Sequence, residues 1–133
     1  MIRLIKVLFI VAASFVSAPL FANDFDGSKP LICAIVEVLD CGVRGDCDAV
    51  DPEFVNMPSI YKLNLKEKLA SSGERKSEID HVSVEEHSTI IQGISEDYKA
   101  WSMVLSHNTG KFTGAVAAYD YGFIMFGSCV VDD

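Results

Sequence analysis

His81-Val82-Ser83-Val84-Glu85-Glu86-His87 gathers more chemistry-bearing side chains than any other stretch of this chain. Side chains of an extended strand alternate, so His81, Ser83, Glu85 and His87 are expected on one face. Glu85 and His87 would then lie about 6.6 Å apart along the strand, within reach of one metal ion. His81 would be about 20 Å from His87 and could not complete that site. A third ligand has to come from a neighbouring strand, and His107 is the remaining histidine. The plainer reading is a water-facing strand surface, which antiparallel sheets carry routinely, and it is the one we favour.

Asp40, Asp46, Asp48, Asp51 and Glu53 form an acidic stretch that invites a calcium reading. An EF-hand loop needs oxygen ligands at its first, third, fifth and twelfth places and glycine at the sixth. Starting at Asp46 puts Val50 fifth, Asp51 sixth and Met57 twelfth, and starting at Asp40 puts Gly42 third and Arg44 fifth. Neither register fits. The stretch reads instead as a solvated loop whose Asp40, Asp46, Asp48 and Asp51 present binding contacts.

Hydrolysis requires a nucleophile, a base and an orienting acid brought together. The chain has no Gly-x-Ser-x-Gly, His-Glu-x-x-His or glycine-rich phosphate loop, and Glu85 and Glu86 fall on opposite strand faces. No catalytic residue and no cofactor is assigned. Tyr61, Trp101, Phe112, Tyr119, Phe123 and Phe126 could line a ligand cavity, but a chain this short is expected to use those rings as core.

Such groups matter only where the fold holds them, and the cysteines say most about that. Cys33, Cys41, Cys47 and Cys129 are even in number and contain no Cys-x-x-Cys, so paired cystines outrank a zinc cluster or a redox pair. Of the three connectivities, Cys41–Cys47 with Cys33–Cys129 is favoured. The first closes the polar loop; the second ties the first strand to the last and is worth about 3–5 kcal/mol.

Cystines require an oxidising compartment, and the start of the chain agrees. Arg3 and Lys6 precede the apolar run Val7–Ala13, and Ser17-Ala18-Pro19 leads to Leu20-Phe21-Ala22. Residues 1–22 therefore read as an export signal processed before Asn23. The run is too short and too interrupted for a retained anchor of about 20 apolar residues. The expectation is a periplasmic or secreted protein with no membrane attachment once the signal is removed. Residues 23–133 carry nine basic against 19 acidic residues, a balance of −10. Such a surface repels phosphate backbones and anionic headgroups, which argues against nucleic-acid and membrane-surface binding.

Residues 23–30 read as a flexible leader and 31–133 as one domain. Leu31–Leu39 is a β-branched run suited to a strand covered on both faces. Residues 40–58 form a long acidic connection with one helical turn near Asp51–Val55. In Ile60–Lys66, Tyr61, Leu63 and Leu65 should face the core, with Lys62, Asn64 and Lys66 in water. Ser71-Ser72-Gly73 reads as a turn. Further strands are expected over Glu78–Glu86, Ser88–Gly93, Ala100–His107, Phe112–Tyr119 and Phe123–Val131. His107–Lys111 is the strongest turn signal, with Gly110 suited to a left-handed position. About seven short strands joined by tight turns predict an all-β antiparallel meander. Closure into a small barrel is preferred to a two-sheet sandwich, since it leaves no long edge exposed.

Gln92-Gly93, Ala100-Trp101-Ser102, Thr109-Gly110, Ala115-Val116 and Phe126-Gly127-Ser128-Cys129, with Leu31-Ile32-Cys33-Ala34, Cys41 and Cys47, resemble a family of small exported proteobacterial proteins of unknown function. That resemblance implies export and a compact β domain, and carries no catalytic or ligand residues. The architecture is also similar to the small β-barrel inhibitors of lysozyme in the bacterial envelope, without any inhibitor motif. The expected function is a non-enzymatic binding or inhibitor-like module acting on an unknown protein or small molecule. The alternatives are a metal-dependent or hydrolytic enzyme using His81, Glu85 and His87, and a structural envelope component.

Overall fold

A computed structural model describes residues 23–133. The expected signal segment, residues 1–22, lies outside the described residues. The strands are β1 (Leu31–Gly42), β2 (Cys47–Val50), β3 (Ile60–Asn64), β4 (Leu69–Ser72), β5 (Arg75–Val84), β6 (Ser88–Ser95), β7 (Ala100–Ser106), β8 (Lys111–Ala117) and β9 (Tyr121–Val131). One 3-10 turn, Pro52–Val55, separates β2 from β3. All pairings are antiparallel and run β2-β1-β3-β4-β5-β6-β7-β8-β9. β1 also pairs β9 from Leu31↔Val131 to Gly42↔Tyr121, which closes eight strands into a barrel and leaves β2 as an extra strand.

Alternation builds the interior. On β3, Leu63 is fully buried while Lys62 is exposed, and on β7 Met103 and Leu105 are buried while Val104 faces out. Leu31, Val38, Leu63, Ile91 and Leu105 form the tightest part of the core, with the Cys33–Cys129 disulfide among them. That cystine joins the two strands that meet at closure, because Cys33 and Cys129 face one another in the β1–β9 register. Cys41–Cys47 likewise spans a facing pair in the β1–β2 hairpin. Both expected disulfides are present, as is the expected barrel. Two disulfides suit an oxidising, non-cytoplasmic compartment. No described helix is long and apolar enough to cross a membrane.

The strand count is higher than the alternation predicts. β2 falls inside the acidic connection, which is a hairpin continuing β1 through Gly42, and β4 contains the Ser71-Ser72 read as a turn. Both are four residues long, too short to display a period, and are held in strand form by their neighbours. The actual turn begins at Gly73, whose φ is 59°. Gly110 takes the left-handed conformation expected of it, with φ 67°.

The two ends of the barrel differ. One end is stoppered by residues 23–30, expected to be a free leader. Phe25 packs against the core, and its carbonyl accepts a hydrogen bond from the Thr89 hydroxyl at 2.8 Å. Asn23 and Asp26 turn the segment by accepting the backbone N–H groups of Phe25 and Ser28. An apolar anchor inside a polar run overrides the composition that suggested disorder. Hydrogen bonds from the Ser28 hydroxyl and backbone N–H favour the Asp26 carboxylate and lower its pKa.

Candidate functional site

The other end is hollow. At β1 the pairing partner changes from β3, over Leu31–Ala34, to β2, over Val38–Cys41. β3 therefore starts lower than its neighbours, and the residues after the 3-10 turn cover only part of the gap. A cavity of about 350 Å³ remains, at the small end of the range for organic-ligand sites. Its walls include Ile35, Tyr61, Trp101, Met103, Phe123 and Met125. Its mouth is framed by Asn56-Met57-Pro58, by Arg75 and Lys76 at the start of β5, and by the Ser95–Lys99 turn between β6 and β7.

Trp101 forms one wall because Gly93 stands opposite it in the β6–β7 register. A Cβ on Gly93 would collide with the Glu78 carbonyl and the indole, so only glycine lets the ring lie across the sheet. The indole Nε1–H donates to the Ser77 hydroxyl at 2.8 Å, and that hydroxyl donates to the Ile94 carbonyl at 2.9 Å. The ring is thus pinned at both its edge and its face.

Tyr61 lies edge-on to Phe112, with centroids 6.3 Å apart. Its hydroxyl has no hydrogen-bond partner among the described residues, yet it is not a sealed, unsatisfied group. Tyr61 is one of the residues lining the cavity. Burial raises its pKa far above the ordinary 10.0, so the ring stays neutral and presents an O–H donor.

The mouth is charged. Arg75 donates to the Asn56 carbonyl at 2.8 Å and to its side-chain oxygen at 2.7 Å, across the opening. Lys99 pairs with Asp97 at 2.5 Å and lies 5.6 Å from the Tyr121 ring centroid. That pairing raises the Lys99 pKa and lowers that of Asp97, whose carboxylate also accepts the Ser95 hydroxyl.

The residues singled out in the sequence sit elsewhere. β5 ends at Val84, and Glu85 and Ser88 flank a tight turn made by Glu86 and His87, with the Glu85 N–H donating to the Ser88 carbonyl at 2.8 Å. A register shift between Ile79 and His81 lies before this segment, and from His81 to Val84 the pairing with β6 is regular. His81 and Ser83 share a face as expected, while Glu85 and His87 lie beyond the strand and do not continue it. Glu85 accepts the Ser83 hydroxyl at 2.5 Å, and His87 lies 3.7 Å from Glu86, both in water. His107 is at the stoppered end, its Nε2 2.8 Å from the Thr89 oxygen. Since that hydroxyl spends its one proton on Phe25, the imidazole Nε2 must be the donor. Among the described residues no group of three or more His, Cys, Asp or Glu is placed to hold a metal ion.

Asp40 and Asp48 face one another in the β1–β2 register, while Asp46 is in the hairpin turn and Asp51 precedes the 3-10 turn without a side-chain capping bond. Glu53 accepts the Ser59 hydroxyl, which lowers its pKa. Of the six aromatic rings expected in the core, Tyr61, Trp101 and Phe123 line the cavity and Phe112 is buried. Tyr119 is 98 % exposed in the β8–β9 turn, and Phe126 projects from the barrel's outer face. Tyr119 lies past the end of β8 at Ala117, an odd number of residues from buried Phe112 and so on the outward parity. Arg75 and Asn56 were not singled out, and nothing local marks them; they are 19 residues apart and meet only across the mouth. No family model, curated protein or solved structure matches the chain.

Proposed function

We propose that this protein is a non-enzymatic small-molecule carrier or sensor of the periplasm or extracellular space, exported by the segment of residues 1–22. The observation that supports this reading is an apolar cavity at one barrel end, walled by Tyr61, Trp101, Phe123, Met103 and Met125. A chain with so modest a core would gain stability by filling that space, so an unfilled interior is a costly feature without a ligand. Trp101 is the single tryptophan, which makes binding directly observable. Titration with the neutral apolar fluorophore N-phenyl-1-naphthylamine should show saturable, equimolar binding with energy transfer from Trp101. Met103→Trp, which fills the cavity, should abolish it in protein that retains both disulfides. Absence of saturable binding to the native protein would remove the reading.

A second reading places a protein partner on the β1–β2 hairpin. Its support is the cluster of Asp40, Asp46, Asp48 and Asp51 beside Phe54, which is 76 % exposed, and a loop on a rigid scaffold often carries contacts. Affinity capture from native envelope, compared with the Asp46→Lys/Asp48→Lys double variant, tests it. An unchanged set of captured proteins rejects the hairpin as the contact.

A further inference from the structure

We infer that the cavity takes a carboxylate carried on an apolar body, with the body inside the barrel and the carboxylate at Arg75. This rests on the small-molecule reading above and adds the ligand's polarity and orientation to it.

The charge distribution carries the inference. Residues 23–133 hold nine basic side chains against 19 acidic ones, yet Arg75, Lys76 and Lys99 all line this one opening. They meet two carboxylates there, Glu96 and Asp97. Asp97 is committed to Lys99 at 2.5 Å. Arg75 has no carboxylate partner among the described residues, since Asn56 supplies both of its acceptors. A guanidinium has five N–H donors, so the two bonds to Asn56 leave others free while holding the group in place. A positive rim on a negative protein selects against most of its own surface chemistry and for an anionic group.

The interior fixes the rest. Ile35, Met103, Phe123 and Met125 offer no counter-charge, and an unpaired ion among them would pay a heavy desolvation penalty. A charged head must therefore stay at the mouth while the apolar part goes in. The Tyr61 hydroxyl, on the inner wall, can donate to a neutral oxygen on the body but is not required to meet the head. Arg75 lies on β5 two residues before Ser77, which anchors Trp101, so the cation and the apolar wall belong to one strand.

The test uses the full protein and competition against N-phenyl-1-naphthylamine at low salt, with dodecanoate and dodecanol as competitors. Dodecanoate should displace the fluorophore at about tenfold lower concentration than dodecanol, the size expected for a charge-assisted hydrogen bond near water. Half-molar sodium chloride should shrink the difference, because the rim is exposed. Arg75→Met should remove the preference while dodecanol still displaces the fluorophore saturably, which shows that the cavity survives the substitution. Arg75→Lys should restore part of it. Equal displacement by the two compounds, or a preference that persists in Arg75→Met, overturns the inference while leaving the small-molecule reading intact. Failure of the fluorophore and of both dodecyl compounds overturns the cavity itself as a ligand site.

Discussion

The Arg75 guanidinium grips Asn56 twice, at the backbone carbonyl and at the side-chain oxygen, and so ties the β4–β5 hairpin to the segment that roofs the cavity. Asn56 is left-handed, with φ 54°, and this turns its carbonyl toward the arginine. Asn56→Gly keeps the backbone and loses one bond, so urea unfolding should change by less than about 0.5 kcal/mol. Asn56→Val forces a β-branched residue into that conformation and should cost about 1–2 kcal/mol. Ligand dissociation should quicken in both.

Trp101 reports on its own seat. Gly93→Ala places a methyl against the indole and the Glu78 carbonyl, and the ring must shift. The loss should be about 1–3 kcal/mol in urea unfolding, with a changed emission maximum in the folded protein. An unchanged spectrum and midpoint would mean that the ring does not lie over Gly93.

Tyr61 makes stability fall at alkaline pH. Its folded pKa is raised above the unfolded value of 10.0, so the folded state holds a proton that the unfolded state has released. That stabilisation is complete below pH 10 and declines as pH rises beyond it, by about 1.4 kcal/mol for each pH unit until Tyr61 itself ionises. Tyr61→Phe should flatten this decline between pH 10 and 11. It should cost little at pH 7, since no hydrogen bond to a described residue is lost.

The two disulfides should differ in worth. Cys33–Cys129 closes 96 residues and Cys41–Cys47 closes 6. Loop entropy assigns about 4–5 kcal/mol to the first and about 2 kcal/mol to the second. Paired Cys→Ser variants, measured by denaturant unfolding, should keep that order, and dithiothreitol should open the exposed hairpin bridge first.

Thr89 is the hinge pin of the stoppered end, fully buried and bonded to both Phe25 and His107. Thr89→Val leaves the Phe25 carbonyl and the His107 Nε2–H without it. A loss of about 1–3 kcal/mol is expected, with faster hydrogen exchange confined to residues 23–30. Uniform exchange across the barrel would contradict the local role.

Much of the frame was legible because it depends on near neighbours in the chain. The alternation of Tyr61, Leu63 and Leu65 against Lys62, Asn64 and Lys66 marks a half-buried strand, and His107–Lys111 marks a hairpin, without reference to anything distant. β2 and β4 were missed because four residues show no period, and their form comes from hydrogen bonds to β1, β3 and β5. The His81–His87 segment misled for a related reason. Alternation holds from His81 to Val84 but was extended past Val84, where the chain turns.

The sequence offered rings that could line a cavity but could not decide that one exists. Apolar and aromatic residues at inward positions look the same whether they meet across the barrel or stop short, because composition measures volume supplied and not volume enclosed. The order of residue types along the chain decided an all-strand, antiparallel, twice-bridged domain, since side-chain period and cysteine pairing are local or countable properties. Only the closed tertiary structure decided which end is plugged, which is hollow, and that Arg75 faces Asn56 over the opening, since those depend on distances between segments set by barrel closure.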